Sequence, residues 1–162
     1  MTRLVVLAWG NPSRGDDALG PEFLRCVERL VPAVPHEVEL VTDFQLQPEH
    51  ATDLVGRDLA LFVDASVVVP VPFGFDAVVP ARDPTFTSHA MSPGAVLAAC
   101  AEAFAQPPPP GFLLAIRGER FVLGDPISAA GRRNLRDAVE FYRQLLSDIS
   151  MQAWRAATRN KP

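Results

Sequence analysis

The chain has 162 residues, 48% hydrophobic and 21% charged, with a formal net charge of −4. That length builds one ordinary domain with a proper core. The acidic balance argues against nucleic acid as the main partner, and no stretch nears the roughly twenty apolar residues of a membrane span. Met1-Thr2-Arg3 runs into an apolar stretch without the pattern of a signal peptide, so the expected setting is the cytoplasm. Cys26 and Cys100 each sit in an apolar helical pattern and read as buried, reduced thiols.

Leu4 to Trp9 is too short and too evenly apolar for an amphipathic helix, and reads as a strand buried on both faces. A Gly/Asn/Pro/Ser/Gly turn follows, then Asp16-Asp17, then a helix from about Leu19 to Leu30 with Pro21 in its first turn. One aspartate suffices to cap a helix, which leaves the other free. Either Asp16 or Asp17 can face the crevice as that free carboxylate. Val38 to Thr42 is a short strand. Pro48 opens a second, shorter helix to about Val55, in which His50 reads as a surface residue. His36, near a strand start, falls at the opposite edge and reads as structural.

Leu59 to Ser66 is the next buried strand, and it runs out on Asp64. That aspartate either projects into a crevice from a fixed backbone or satisfies N–H groups in a turn. Val67 to Pro72, punctuated by proline, reads as an edge or loop, and Phe73 to Val79 adds a possible strand. A loop through His89 feeds a helix capped by Ser92 and running to about Phe104. The positive end of that helix's dipole disfavours protonation of His89, which leaves its lone pair for a metal. The alternative is an exposed loop histidine.

Pro107 to Pro110 is a stiff connector with no packing role. Phe112 to Ile116 is a further strand, and Arg117 to Asp125 a turn with a short strand, in which Arg117 and Glu119 either shape the crevice or form a solvated pair. Ser128 caps a last helix with apolar positions from Leu135 to Ile149. The expected architecture is a three-layer α/β/α sandwich around a mainly parallel, twisted sheet of about five strands. Residues 1–150 form one domain and residues 151–162 a frayed tail. Right-handed crossovers bring the loops after successive strands to one edge, where Asp17, Asp64 and His89 converge. Two carboxylates and an imidazole suit a first-row divalent metal, without choosing nickel over zinc, manganese or iron. A carboxylate–histidine acid/base pair is the other chemistry they allow.

Gly10-Asn11, Asp16-Asp17 and Gly20, then Val63-Asp64-Ala65, then Ser88-His89 ahead of a helix, together resemble the hydrogenase maturation endopeptidases. Gln47-Pro48-Glu49-His50, Phe62 to Ser66, Thr87 to Pro93 and Leu114 to Glu119 look closest to members serving soluble NAD-reducing [NiFe] hydrogenases. The resemblance implies a peptidase that removes the C-terminal extension of a [NiFe]-hydrogenase large-subunit precursor after nickel insertion. By motif the family's metal-contacting and catalytic positions fall on Asp17, Asp64 and His89. The nickel belongs to the substrate and serves as a recognition element. The first position is often Glu in the family, and relatives carry a glycine-rich loop where this chain has Val67 to Pro72. A non-catalytic assembly factor that binds the nickel-loaded precursor is the alternative from a different class.

Overall fold

The computed structural model describes residues 1–30, 32, 35–83 and 91–159. Its elements are β1 (Arg3–Trp9), α1 (Leu19–Val27), β2 (Glu37–Asp43), β3 (Leu59–Ser66), β4 (Phe73–Val78), α2 (Pro93–Phe104), β5 (Gly111–Arg117), α3 (Ala129–Leu145) and α4 (Met151–Ala156). Short 3-10 helices span Gly15–Ala18 and Pro48–Leu54. The sheet order is β2-β1-β3-β5-β4, with every pairing parallel except β4 against β5.

Alternation along each central strand divides the core in two. Leu4, Val6 and Ala8 of β1, with Leu59, Leu61 and Val63 of β3, face α1, α3 and α4. Val5, Leu7 and Trp9, with Ala60 and Phe62, face α2 and the 3-10 helix Pro48–Leu54. A strand covered on both faces has no solvated side, so its sequence shows no alternation. The expected three-layer α/β/α arrangement is the one observed.

Some boundaries differ from the sequence reading. The helix after Pro48 is a 3-10 helix, entered through a capping box that Gln47 and His50 close. Arg117 to Asp125 contains no short strand beyond the end of β5. The proline connector does more than bridge, since the Pro110 carbonyl accepts from the Ala60 N–H at 3.0 Å and extends the β3 ladder.

Residues 151–156 form α4 instead of a frayed tail. Ser150 caps that helix, and Trp154 is fully buried, with Phe112 5.5 Å from it ring to ring. The Trp154 Nε1–H donates to the Asp148 carbonyl at 3.1 Å, so the buried indole loses no hydrogen bond. Beyond α4 the Arg159 N–H donates to the Phe75 carbonyl at 2.9 Å, on the side of β4 away from β5, and its guanidinium lies over the Phe73 ring.

Candidate functional site

The chain reverses its direction of travel across the sheet between β1 and β3. From β1 it passes through α1 to β2, then returns by the opposite face to β3. The crevice outside the carboxyl ends of the strands at such a reversal is where open α/β sheets bind ligands. Asp17, in the 3-10 turn after β1, and Asp64, at the carboxyl end of β3, flank it.

Each carboxylate has one oxygen held by a backbone donor. Asp17 Oδ2 accepts from the Asn11 N–H at 2.8 Å, and Asp64 Oδ1 accepts from the Ala65 N–H at 2.8 Å. The second oxygen of each has no hydrogen bond among the described residues. Gly10 makes the Asp17 position possible: its φ is +147°, and a Cβ there would run into the Asp17 carbonyl. Burial pushes the Asp64 carboxyl up to about 7; the Ala65 N–H opposes this and the nearby negative charge of Asp17 adds to it. The two acids are thus near enough for the charge of Asp17 to act on Asp64. His89 lies outside the described residues, and among those described no three donors gather into a metal cage.

The raised Asp64 carboxyl has a consequence for stability. The folded chain keeps a proton that the unfolded chain releases near pH 4, so stability falls as pH rises from about 4 to about 7. Three pKa units correspond to about 4 kcal/mol, reduced to about 2 kcal/mol because the carboxyl sits at the solvent-open edge of the sheet. Asp64→Asn keeps the hydrogen-bond acceptor for Ala65 and removes the titration. Urea unfolding at pH 5 and pH 8 is expected to show the variant gaining about 2 kcal/mol on wild type at the higher pH, and parallel profiles would contradict the assignment.

Asp16 is fully buried and supports rather than binds. Its carboxylate accepts from the N–H groups of Glu119 at 2.7 Å, Arg120 at 3.1 Å and Ser128 at 2.7 Å, and from the Ser128 hydroxyl at 2.7 Å. Burial alone would raise its carboxyl; the donors from Glu119, Ser128 and Arg120 outweigh it and hold the group below the usual carboxylate range. Ser128 in turn accepts from the Gly131 N–H at 2.9 Å, capping α3. Asp16 thus anchors the start of a helix far along the chain, not its own. A Cβ on Gly131 would sit 2.6 Å from Asp16 Oδ1, so the close approach requires glycine.

His50 is buried, not a surface residue. Its Nδ1 accepts from the Gln47 N–H at 2.8 Å, which leaves the proton on Nε2, 3.4 Å from Asp43 Oδ2. His36 is structural as expected, accepting the Thr2 N–H at 3.0 Å. Arg117 pairs with Glu119 at 3.4 Å and also donates to the Val69 carbonyl at 2.8 Å, which braces the loop after Asp64. Cys100 is buried, but Cys26 is exposed, because it faces outward from α1. Sequence reasoning missed the Asn11 and Ala65 backbone donors, which no side-chain type marks. The nearest signal is Gly10, whose freedom the turn demands.

No family model and no curated protein matches the chain. Among solved structures it is similar to a [NiFe] hydrogenase maturation protease, HycI, from Thermococcus kodakarensis KOD1, at 21% identity and TM-score 0.67 over 90% of this chain and 92% of that one. It is similar to the hydrogenase maturating endopeptidase HybD from E. coli at 22% identity and TM-score 0.67, over 86% and 89% of the two chains. A hydrogenase 3 maturation protease matches at 20% identity and TM-score 0.63 over 98% and 96%. The five-stranded, mostly parallel α/β sheet that carries Asp17 and Asp64 is thus the fold of the hydrogenase maturation proteases.

Proposed function

We propose that this chain is an endopeptidase that removes the C-terminal extension of a [NiFe]-hydrogenase large-subunit precursor, of the kind serving soluble NAD-reducing hydrogenases, once nickel is in place. The observation that carries the reading is the pair Asp17 and Asp64 at the β1/β3 reversal, each with one oxygen fixed and one without a hydrogen bond among the described residues. Fixed oxygen donors at a crevice suit a cation presented by a docking protein better than a free peptide. His89 supplies the third donor.

The substrate's nickel is the recognition element, and its arrival displaces the proton that Asp64 keeps near neutral pH. Cleavage then needs water delivered to the scissile carbonyl, with Asp17, a partly buried acid, to accept its proton. The sequence offers no Ser-His-Asp or Cys-His arrangement at this edge for a covalent route.

The test is a gel-shift assay on nickel-loaded and nickel-free precursor. Only the loaded form is expected to shorten. Equal cleavage of both would overturn nickel recognition, and tight binding without cleavage would favour an assembly factor. The free protein is expected to leave casein intact.

A further inference from the structure

Between α1 and α3, on the outer face of the helical layer, lies a groove of 700 Å³. Arg25 reaches it from α1, and Arg132, Arg133, Arg136 and Arg143 from α3. Against these five cations stand two carboxylates, Glu22 and Glu140, in a chain whose total charge is −4. The positive charge is therefore concentrated here. Both carboxylates are already matched: Glu22 pairs with Arg25, and Glu140 with Arg143 at 3.3 Å. Arg132, Arg133 and Arg136 make no contact ion pair among the described residues, Arg132 acting on Glu22 only at longer range, and all three are exposed.

We infer that this groove docks an acidic segment of a protein partner, its carboxylates paired with Arg132, Arg133 and Arg136 and its apolar side chains seated on Val139 and the aliphatic stems of the arginines. A planar guanidinium can meet a carboxylate with two parallel hydrogen bonds, which suits the arginines of the rim to an acidic partner. From Ala129 to Arg143 the helix runs about 21 Å, enough to hold some six residues of extended peptide. The floor argues for peptide over nucleic acid. It is aliphatic, with no aromatic ring on which a base could stack, and two glutamates sit in the rim where a phosphate backbone would lie.

The groove lies beside the Asp16 anchor but uses none of the residues of the Asp17/Asp64 crevice. The inference therefore stands apart from the proposed peptidase activity.

Fluorescence anisotropy with a labelled peptide of alternating Glu-Glu-Leu units tests it, beside a Lys-Lys-Leu peptide and duplex DNA. Wild type is expected to bind the acidic peptide, with affinity falling as salt rises. The triple variant Arg132→Gln/Arg133→Gln/Arg136→Gln is expected to bind it roughly tenfold more weakly or worse. Charge reversal at the same three positions is expected to switch preference to the lysine peptide. Circular dichroism melting of each variant separates lost binding from lost fold, and the salt dependence of wild type needs no variant. Absence of acidic-peptide binding, equal binding by the glutamine variant, or tighter binding of DNA than of peptide would each overturn the assignment.

Discussion

Asp16→Asn is expected to destabilise the chain by about 3–5 kcal/mol at pH 7, lowering its melting temperature by on the order of 10 °C. Four donors converge on two carboxylate oxygens, three of them on Oδ2. An amide supplies one acceptor and turns two donors of its own toward N–H groups that have nowhere else to go. Whichever way the asparagine faces, at least one buried N–H meets another donor. The pH dependence separates this from a mere loss of shape. The Asp16 carboxyl lies below its ordinary range, so its contribution is complete above the unfolded pKa and disappears as pH falls through the lower folded value. The gap between wild type and variant should therefore narrow in strong acid, and a gap independent of pH would count against the charge-based account.

Asp17→Ala and Asp64→Ala are each expected to reduce cleavage of the nickel-loaded precursor at least ~10³-fold. The conservative changes sharpen the argument. Asp17→Asn keeps an acceptor for the Asn11 N–H and Asp64→Asn keeps one for the Ala65 N–H, so the loops stay closed while the charge is lost. If the carboxylates act as donors to a cation, the asparagine variants should be as inactive as the alanine variants, with precursor binding weakened alongside turnover. Activity retained by both asparagine variants would leave these aspartates as loop fasteners. Asp17→Glu restores the charge with one more methylene and is expected to retain cleavage above the Asn variant.

The central strands were legible because burial on both faces leaves a continuous apolar run, as in Leu4 to Trp9 and Leu59 to Val63. The helix starts at Ser92 and Ser128 were equally open to reading, since a cap is a local bond to the third residue on, made here to Ala95 and Gly131. What could not be read depends on partners distant in sequence. Nothing near Asp16 signals that its donors come from Glu119, Arg120 and Ser128. Nothing near Trp154 signals a pocket lined by Phe75 and Phe112. His50 sits beside charged neighbours in sequence, yet its ring turns inward to close the capping box with Gln47. Of the candidate site, Asp64 stood out at the end of a buried strand and Asp17 through the motif after β1, while the backbone donors that hold them follow from the turn geometry alone.

The margins of the sheet have a bearing on behaviour at high concentration. Strand edges with free N–H and C=O groups invite copies of a chain to add to one another and aggregate. At one margin β2 carries Glu37 and Glu39, which Arg57 holds in ion pairs, so an incoming strand would meet charged side chains already engaged there. At the other, the Arg159 N–H already occupies the Phe75 carbonyl. Neither margin offers a clean template, which keeps a sheet of mostly apolar strands from growing past its five.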